Sequence, residues 1–218
     1  MELNSIRKTK AHCSSSTHGF TLIELLVVVA ISGIVMAAIY SAYYTAQKNA
    51  IVQEGTAVMR QNLRAGLDLM AREIRMAGYD PTGTANAGIT TAGSNSIAFA
   101  DDLNGDHDTS DPGEQITYAL SGNNLVRNDG DGTGDHPVAE NIDALNFAYL
   151  DSAGNVTANL NEIRSVQITL VAWAEKEDRD YTDTQSYSSP WGVVLAAQND
   201  HFRRRLLTTR VVCRNLGL

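Results

Sequence analysis

An acidic loop carries the most regular set of metal-ligand side chains in the sequence. Oxygen-bearing side chains recur at every second position, at Asp102, Asn104, Asp106 and Asp108. Hard cations such as Ca²⁺ select ligands of this kind, and the spacing imitates the start of an EF-hand loop. His107 replaces the glycine that permits the sharp turn of that loop, and Gly113 stands where the bidentate glutamate belongs. Two alternatives therefore stay open, a Ca²⁺ site at these four residues and a solvated hairpin loop.

A second polar loop, residues 128–136, is rich in glycine and aspartate. A turn between strands is the default structure for such a run. His107 and His136 could bind Zn²⁺ together with aspartates, because imidazole and carboxylate are both zinc ligands. Histidine beside aspartate in a polar loop is usually only hydrated, so the turn is the main interpretation.

The sequence offers no set of catalytic residues. It contains no nucleophile elbow, no metalloprotease helix motif and no phosphate-binding loop. A second acid that could pair with Glu24 within its apolar segment is also missing. We therefore expect a protein without enzymatic activity and without an obligatory cofactor.

Glu24 is the one ionisable side chain in an apolar run of twenty-five residues, FTLIELLVVVAISGIVMAAIYSAYY, from Phe20 to Tyr44. At about 1.5 Å per residue, a helix of this length crosses a ~30 Å hydrocarbon core. A carboxylate in such a span costs on the order of 3 kcal/mol, and charges at these positions usually mark function. Without Glu24, an uncleaved signal anchor would be the simplest interpretation.

Basic side chains precede the apolar run. Arg7, Lys8 and Lys10 outweigh Glu2, so residues 1–19 have a net charge of +2. The whole chain has a net charge of −8, so the remaining residues carry −10. The positive-inside tendency places the N-terminus in the cytoplasm and the C-terminal body across the membrane.

The acidic body argues against nucleic-acid binding, which depends on Lys and Arg neutralising phosphates. The local exception is the run Arg203, Arg204 and Arg205. Adjacent residues of a strand point to opposite faces, so we expect these arginines to form a solvated strand edge rather than a nucleic-acid site.

The segment HGFTLIEL, residues 18–25, resembles the processing site of type IV prepilins. That motif has a glycine before the cut, a phenylalanine whose new amine is methylated, and a glutamate five residues into the mature chain. These positions correspond to Gly19, Phe20 and Glu24. The resemblance implies that a prepilin peptidase cleaves between Gly19 and Phe20 and methylates Phe20. Glycine suits the cut because the missing Cβ allows close approach to the backbone.

Other segments resemble PilW-family minor pilins and, more distantly, the J-type minor pseudopilins of type II secretion. They are RQNLR at 60–64, MAGY at 76–79, RRR at 203–205 and RN at 214–215. Many major pilins close a C-terminal loop with a disulfide, but Cys213 is the one cysteine beyond the predicted leader. A major pilin is therefore not favoured, and we expect Cys213 to be buried as a free thiol.

A helix is predicted to continue beyond the apolar run, because the four prolines all lie at Pro81 or later. Apolar or small residues recur at steps of three and four, at Ile51, Gly55, Met59, Leu63, Leu67, Met70, Ile74 and Ala77. This stripe indicates an amphipathic helix that packs on a domain. Gly78 followed by Pro81 predicts its end.

Short alternating runs after residue 80 predict strands. They are Ser96–Ala100, Gln115–Leu120, Asn124–Arg127, Ala144–Leu150, Arg164–Trp173 and Leu206–Arg214. In the fifth, Val166, Ile168, Leu170 and Ala172 share one face. Residues 176–198 lack periodicity and predict an exposed loop, while Trp173 and Trp191 are expected in the core.

The predicted fold is α+β, a pilin-like lollipop with one long N-terminal helix packed on an antiparallel β-rich head. The predicted divisions are a cleaved leader at 1–19, a transmembrane helix at 20–44, its amphipathic continuation at 45–78 and a periplasmic head at 79–218.

The resemblance implies a structural subunit, a minor pilin that helps to initiate or cap pilus assembly in adhesion and twitching motility. Its implied partners are prepilin peptidase, other major and minor pilins, which it meets through the N-terminal helix, and an inner-membrane assembly platform. The implied location is the inner membrane and then the filament. The alternatives are a minor pseudopilin of type II secretion and, in another class, an uncleaved membrane-anchored periplasmic ligand-binding domain.

Overall fold

A computed structural model describes residues 19–217 of the chain. Apart from Gly19, the predicted leader therefore lies outside the described residues. One long helix, α1 (Leu22–Met76), is followed by ten strands and a short 3₁₀ helix at Leu160–Glu162. The chain divides into two compact units, and the division falls between Lys48 and Asn49. The second half of α1 thus belongs to the same unit as the strands.

The predicted helical stripe is buried from Met59 onward. Met59, Leu63, Leu67, Met70, Ile74 and Ala77 are all at most 6% exposed, whereas Ile51 is 46% exposed. The helix ends at Met76, and Gly78, the predicted stop, follows two residues later with a φ of +82°. A side chain there would also meet Leu216, whose Cδ2 lies 2.5 Å from the position of an added Cβ.

Five strands form the first antiparallel sheet, in the order of the sequence. They are β1 (Gly88–Ala92), β2 (Ser96–Ala100), β3 (Gln115–Ser121), β4 (Asn124–Asn128) and β5 (His136–Ala139). Strands β3 and β4 are joined by a two-residue turn, because Ser121 pairs with Asn124. Gly122 takes the first central position with a φ of +58°, which suits a type II′ hairpin turn.

Three strands form the second antiparallel sheet, in the order β10-β7-β6. They are β6 (Ile142–Leu150), β7 (Ser165–Trp173) and β10 (Arg204–Val212). The predicted face of β7, Val166, Ile168, Leu170 and Ala172, belongs to one apolar core together with the α1 stripe and residues of both sheets. The opposite face of β7 carries Val171, which packs with Ala144 and Tyr187 in a smaller cluster.

The prediction of an exposed loop over residues 176–198 is wrong in part. This segment contains a β-hairpin, β8 (Tyr187–Ser189) and β9 (Gly192–Leu195). Tyr187 is 9% exposed and joins the smaller cluster, so the hairpin has its own contact with the second sheet. Trp191 lies at the hairpin turn and is 44% exposed, which contradicts the prediction that it belongs to the core.

The six predicted strands are confirmed, with ends within two residues of those observed. Strands β1, β5, β8 and β9 were not predicted. Each has five residues or fewer, and β5 contains Pro137. Cys213 is 3% exposed and free, as expected. Burial raises the pKa of its thiol to about 12.

Truncation of the buried stripe should destabilise the head. Leu63→Ala removes a side chain with 0% exposure and should lower the free energy of unfolding by about 2–5 kcal/mol, because a cavity is left in a packed core. Val58→Ala is the matched control on the same helix, since Val58 is 50% exposed, and its effect should stay within about 0.5 kcal/mol. Denaturant unfolding of the detergent-solubilised chain measures both. Equal losses for the two variants would contradict the described burial.

Candidate functional site

The first turn of α1 is closed by a reciprocal pair of side-chain to backbone hydrogen bonds between Thr21 and Glu24. The Thr21 backbone N–H donates to Glu24 Oε2 at 2.8 Å, and the Glu24 N–H donates to Thr21 Oγ1 at 3.3 Å. The Thr21 hydroxyl also donates to Oε2, at 2.8 Å. This arrangement is a capping box, in which residues three positions apart satisfy two N–H groups that the helix leaves open. The cap uses Oε2 and not Oε1.

Sequence reasoning assigned Glu24 only a role beyond its own chain and missed this cap. The signal was present as Thr-x-x-Glu directly before an apolar helical run. The cap gives the carboxylate two local donors, which offset part of the cost of placing it in an apolar span. Gly19 and Phe20 lie just before the cap, and Phe20 is 84% exposed. The backbone between them is thus outside the helix, as a cleavage site requires.

The apolar run of α1 has no protein around it in the described part of the chain. One helix among the described residues is long and apolar enough to cross a membrane, and none of its most apolar window is buried. Large side chains along it are exposed, including Ile34 at 71% and Met36 at 67%. Such a surface is stable only against lipid or against other helices. This half of the helix is therefore consistent with membrane anchoring.

The predicted calcium loop is held together by its own side chains. Asp102 is fully buried, and its carboxylate accepts hydrogen bonds from the N–H groups of Gly105 at 2.6 Å and His107 at 3.3 Å. Asn104, Asp106 and Asp108 are exposed. His107 adopts a φ of +77°, so histidine itself takes the left-handed turn for which an EF-hand uses glycine.

The side chains of the remaining predicted ligands stabilise successive turns along the loop, because each accepts a hydrogen bond from a backbone N–H two residues later. Asn104 Oδ1 accepts from the N–H of Asp106 at 2.9 Å, and Asp106 Oδ1 accepts from the N–H of Asp108 at 3.2 Å. Asp108 Oδ1 in turn accepts from Ser110 at 2.8 Å. The pKa of Asp111 is raised, first by desolvation and then by the charges of Asp106 and its other acidic neighbours. The loop thus concentrates negative charge that a bound cation would neutralise.

A different group of metal-ligand side chains converges in the second loop. Ligand atoms of Asp129, Asp131 and His136 lie within 4.8 Å of one another. Asp129 Oδ2 is held by Arg127 at 2.7 Å, and His136 Nε2 lies 2.6 Å from the Thr133 hydroxyl. The hypothesis that His107 joins His136 receives no support from this grouping. His107 instead lies against Thr84, with Nδ1 2.8 Å from its Oγ1.

The solvated edge predicted for the arginine run is wrong for its middle member. The side chain of Arg204 is only 3% exposed and forms ion pairs with Asp143, Asp183 and Asp200. The Asp200 contact is bidentate, at 2.5 and 2.7 Å. The pKa of Asp200 is lowered by its hydrogen bond to Arg204, whereas burial raises the pKa of Asp143.

This ion-pair cluster fastens the hairpin segment to the second sheet. Asp183 is fully buried and also accepts a hydrogen bond from the Tyr187 hydroxyl at 2.9 Å. Beside the cluster, Arg203 pairs with Asp178 at 2.7 Å and covers the ring of Tyr181 at 4.4 Å. Sequence reasoning missed these partners, although the acid-rich segment 175–183 near an arginine run was a usable signal. The cluster stabilises the fold and leaves Arg203 and Arg204 paired within the chain.

Two family models match different parts of the chain. A model of the prokaryotic N-terminal methylation motif matches residues 14–40, and a model of the type IV pilus-assembly protein W matches residues 114–215. No curated protein sequence matches this one. A solved structure of a type IV-like pilin from Thermus thermophilus aligns with a TM-score of 0.51 at 17% identity, covering 73% of this chain and 98% of the other. This structural likeness shows the fold alone.

Calcium binding at Asp102, Asn104, Asp106 and Asp108 stays a prediction, which a thermal melt can test. The detergent-solubilised full chain should melt at a higher temperature in Ca²⁺ than in chelator, because a ligand that binds the native state stabilises it. At a hundredfold excess over the dissociation constant the gain is about 2.7 kcal/mol. Asp106→Asn should abolish the shift, whereas Asp131→Asn in the second loop should retain it. An unchanged melting temperature for the native sequence would leave the solvated hairpin loop as the correct interpretation.

Proposed function

We propose that this chain, a type IV pilin-like protein, is a minor pilin that helps to initiate or cap pilus assembly and so supports adhesion and twitching motility. The proposal is carried by the match of the head, residues 114–215, to the type IV pilus-assembly protein W model. The methylation motif of the same chain adds the processing step by which such subunits enter a filament. A structural role also agrees with a chain whose sequence offers no catalytic motif.

In the proposed assembly pathway, the chain is first inserted into the inner membrane. The basic residues before the span favour a cytoplasmic N-terminus, which places the head in the periplasm. Prepilin peptidase then cleaves after Gly19 and methylates Phe20. The assembly platform transfers the helix from lipid to the filament core, where other pilins cover the exposed apolar surface of α1. Both surroundings are apolar, so this transfer exposes little apolar surface to water.

In this proposal Glu24 sets the register of assembly. Cleavage creates an amine at Phe20, and methylation keeps its positive charge. Glu24 of the neighbouring subunit provides the matching negative charge. A subunit displaced by one step would leave both charges unpaired in an apolar core, at a cost of several kcal/mol. The capping box is compatible with this role because it leaves Oε1 for a second partner.

The first test concerns processing. Mass spectrometry of membrane and filament fractions should find a chain that begins at methylated Phe20. Gly19→Val should block cleavage because it adds a Cβ at the cut site. Gly33→Val is the matched control and should be cleaved normally, since both glycines have open space around them and only Gly19 adjoins the cut. A chain that keeps Met1 in cells with active prepilin peptidase would contradict the assignment.

The second test separates the charge of Glu24 from its cap. Glu24→Gln removes the charge and keeps a side chain that can complete the capping box, so insertion and cleavage should persist while incorporation into filaments falls. Thr21→Ala removes the hydroxyl from the cap, at a cost of about 1 kcal/mol, and keeps the charge of Glu24, so incorporation should persist. Immunoblots of sheared filaments against membranes measure both. Incorporation of Glu24→Gln at the native level would rule out charge pairing, and enrichment in a type II secretion complex would assign the chain to that machine instead.

A further inference from the structure

The second half of α1 presents a row of arginines on the side that the head does not cover. Arg60, Arg64, Arg72 and Arg75 are all exposed, and their spacing of four, eight and three residues keeps them on one side of the helix. We call this surface the cationic helix face. Gln61 lies within it, in a shallow depression shared with Arg60 and Arg64. The face is positive because Asp68 is the single acid among these exposed positions.

Within the described part of the chain, the guanidinium groups of this face have no partner. Among residues 19–217, none of the four makes an ion pair or a side-chain hydrogen bond. Asp68 is one helical turn from both Arg64 and Arg72 and pairs with neither. By contrast, Arg127, Arg203 and Arg204 all hold carboxylates. Several arginines of the head are thus held by its own carboxylates, whereas those of the cationic helix face stay available.

The rest of the head carries the opposite charge. Residues 79–218 contain nine Lys and Arg against twenty Asp and Glu, a formal charge of −11. Much of this charge is exposed on the two polar loops, at Asp106, Asp108, Asp111, Asp131 and Asp135. A head of this kind is electrostatically complementary to the cationic helix face of another subunit.

We infer that the cationic helix face docks on the acidic head of a neighbouring pilin-type subunit. The inference rests on the proposed function, because assembly is what brings a second head next to this helix. The contact would steer an incoming subunit toward the correct orientation, and it would penalise an approach in which two acidic heads meet. It acts beyond the membrane span, so it is separate from the pairing proposed for Glu24.

Two other polyanions fit the face less well. A helix that lies on a membrane surface inserts apolar side chains opposite its charges, but the apolar stripe of this helix is already buried in the head. A long nucleic acid needs Lys and Arg along its length, and the rest of the head, with a formal charge of −11, would repel its phosphates. An acidic patch on a protein surface needs no inserted apolar side chains, and it is small enough to contact the four arginines alone.

Charge reversal with a photo-crosslinker tests the inference in the full-length chain in cells. A benzophenone amino acid at Gln61 should form an adduct with an acidic segment of a pilin-type subunit, which mass spectrometry identifies. The double variant Arg64→Glu/Arg72→Glu should reduce the adduct about tenfold, since attraction becomes repulsion at two positions. The neutral variant Arg64→Gln/Arg72→Gln should give a smaller loss. Raising NaCl from about 0.1 M to about 1 M should weaken the native contact in isolated filaments through screening.

The matched control is Arg179→Glu/Arg205→Glu, which makes the same charge change at exposed arginines outside α1. It should leave the adduct unchanged. Native-level adduct in the Arg64→Glu/Arg72→Glu variant, or an adduct with lipid or nucleic acid, would overturn the inference while incorporation of the native chain still supported the proposed function. A native chain that never enters filaments would instead overturn the proposed function and the inference with it.

Discussion

The structure depends on one helix that must satisfy two different surroundings. Up to about Tyr44 its side chains are exposed and, apart from Glu24 and two serines, apolar or small. From Met59 onward an apolar stripe is buried against two sheets. The stripe fixes the rotation of the helix on the head, because the same side chains cannot be buried in any other rotation. It therefore also decides which residues are left outside, including the arginines of the opposite side.

Much of this architecture could be predicted from the sequence, because long periodic segments carry strong signals. The α1 stripe and the β7 face follow from spacing alone, and the helix ends two residues before Gly78, the predicted stop. Strands β5, β8 and β9 were missed because three or four residues are too few to show alternation. The hairpin at β8 and β9 depends on Tyr187 reaching a cluster formed by distant residues, which no local pattern reveals.

Charged residues were the least predictable part. The sequence pattern of three arginines predicts exposed side chains. The Arg204 side chain is buried instead, because three aspartates from separate segments form ion pairs with it. The processing motif was predictable because it is local, and the Thr21 cap could have been found by the same reasoning. The function of the acidic loop could not be predicted from its local pattern. Regularly spaced oxygens can accept hydrogen bonds in successive turns as well as bind a cation.

The cluster at Arg204 makes the hairpin segment an all-or-none unit. A single guanidinium balances three carboxylates, one of them fully buried, so partial loosening of any one strand would leave uncompensated charge. Motions that release Asp183 should therefore release Tyr187 and the whole of β8 and β9 together. Replacement of Arg204 or of any one of its three aspartates alone should consequently be unfavourable until the others have changed as well.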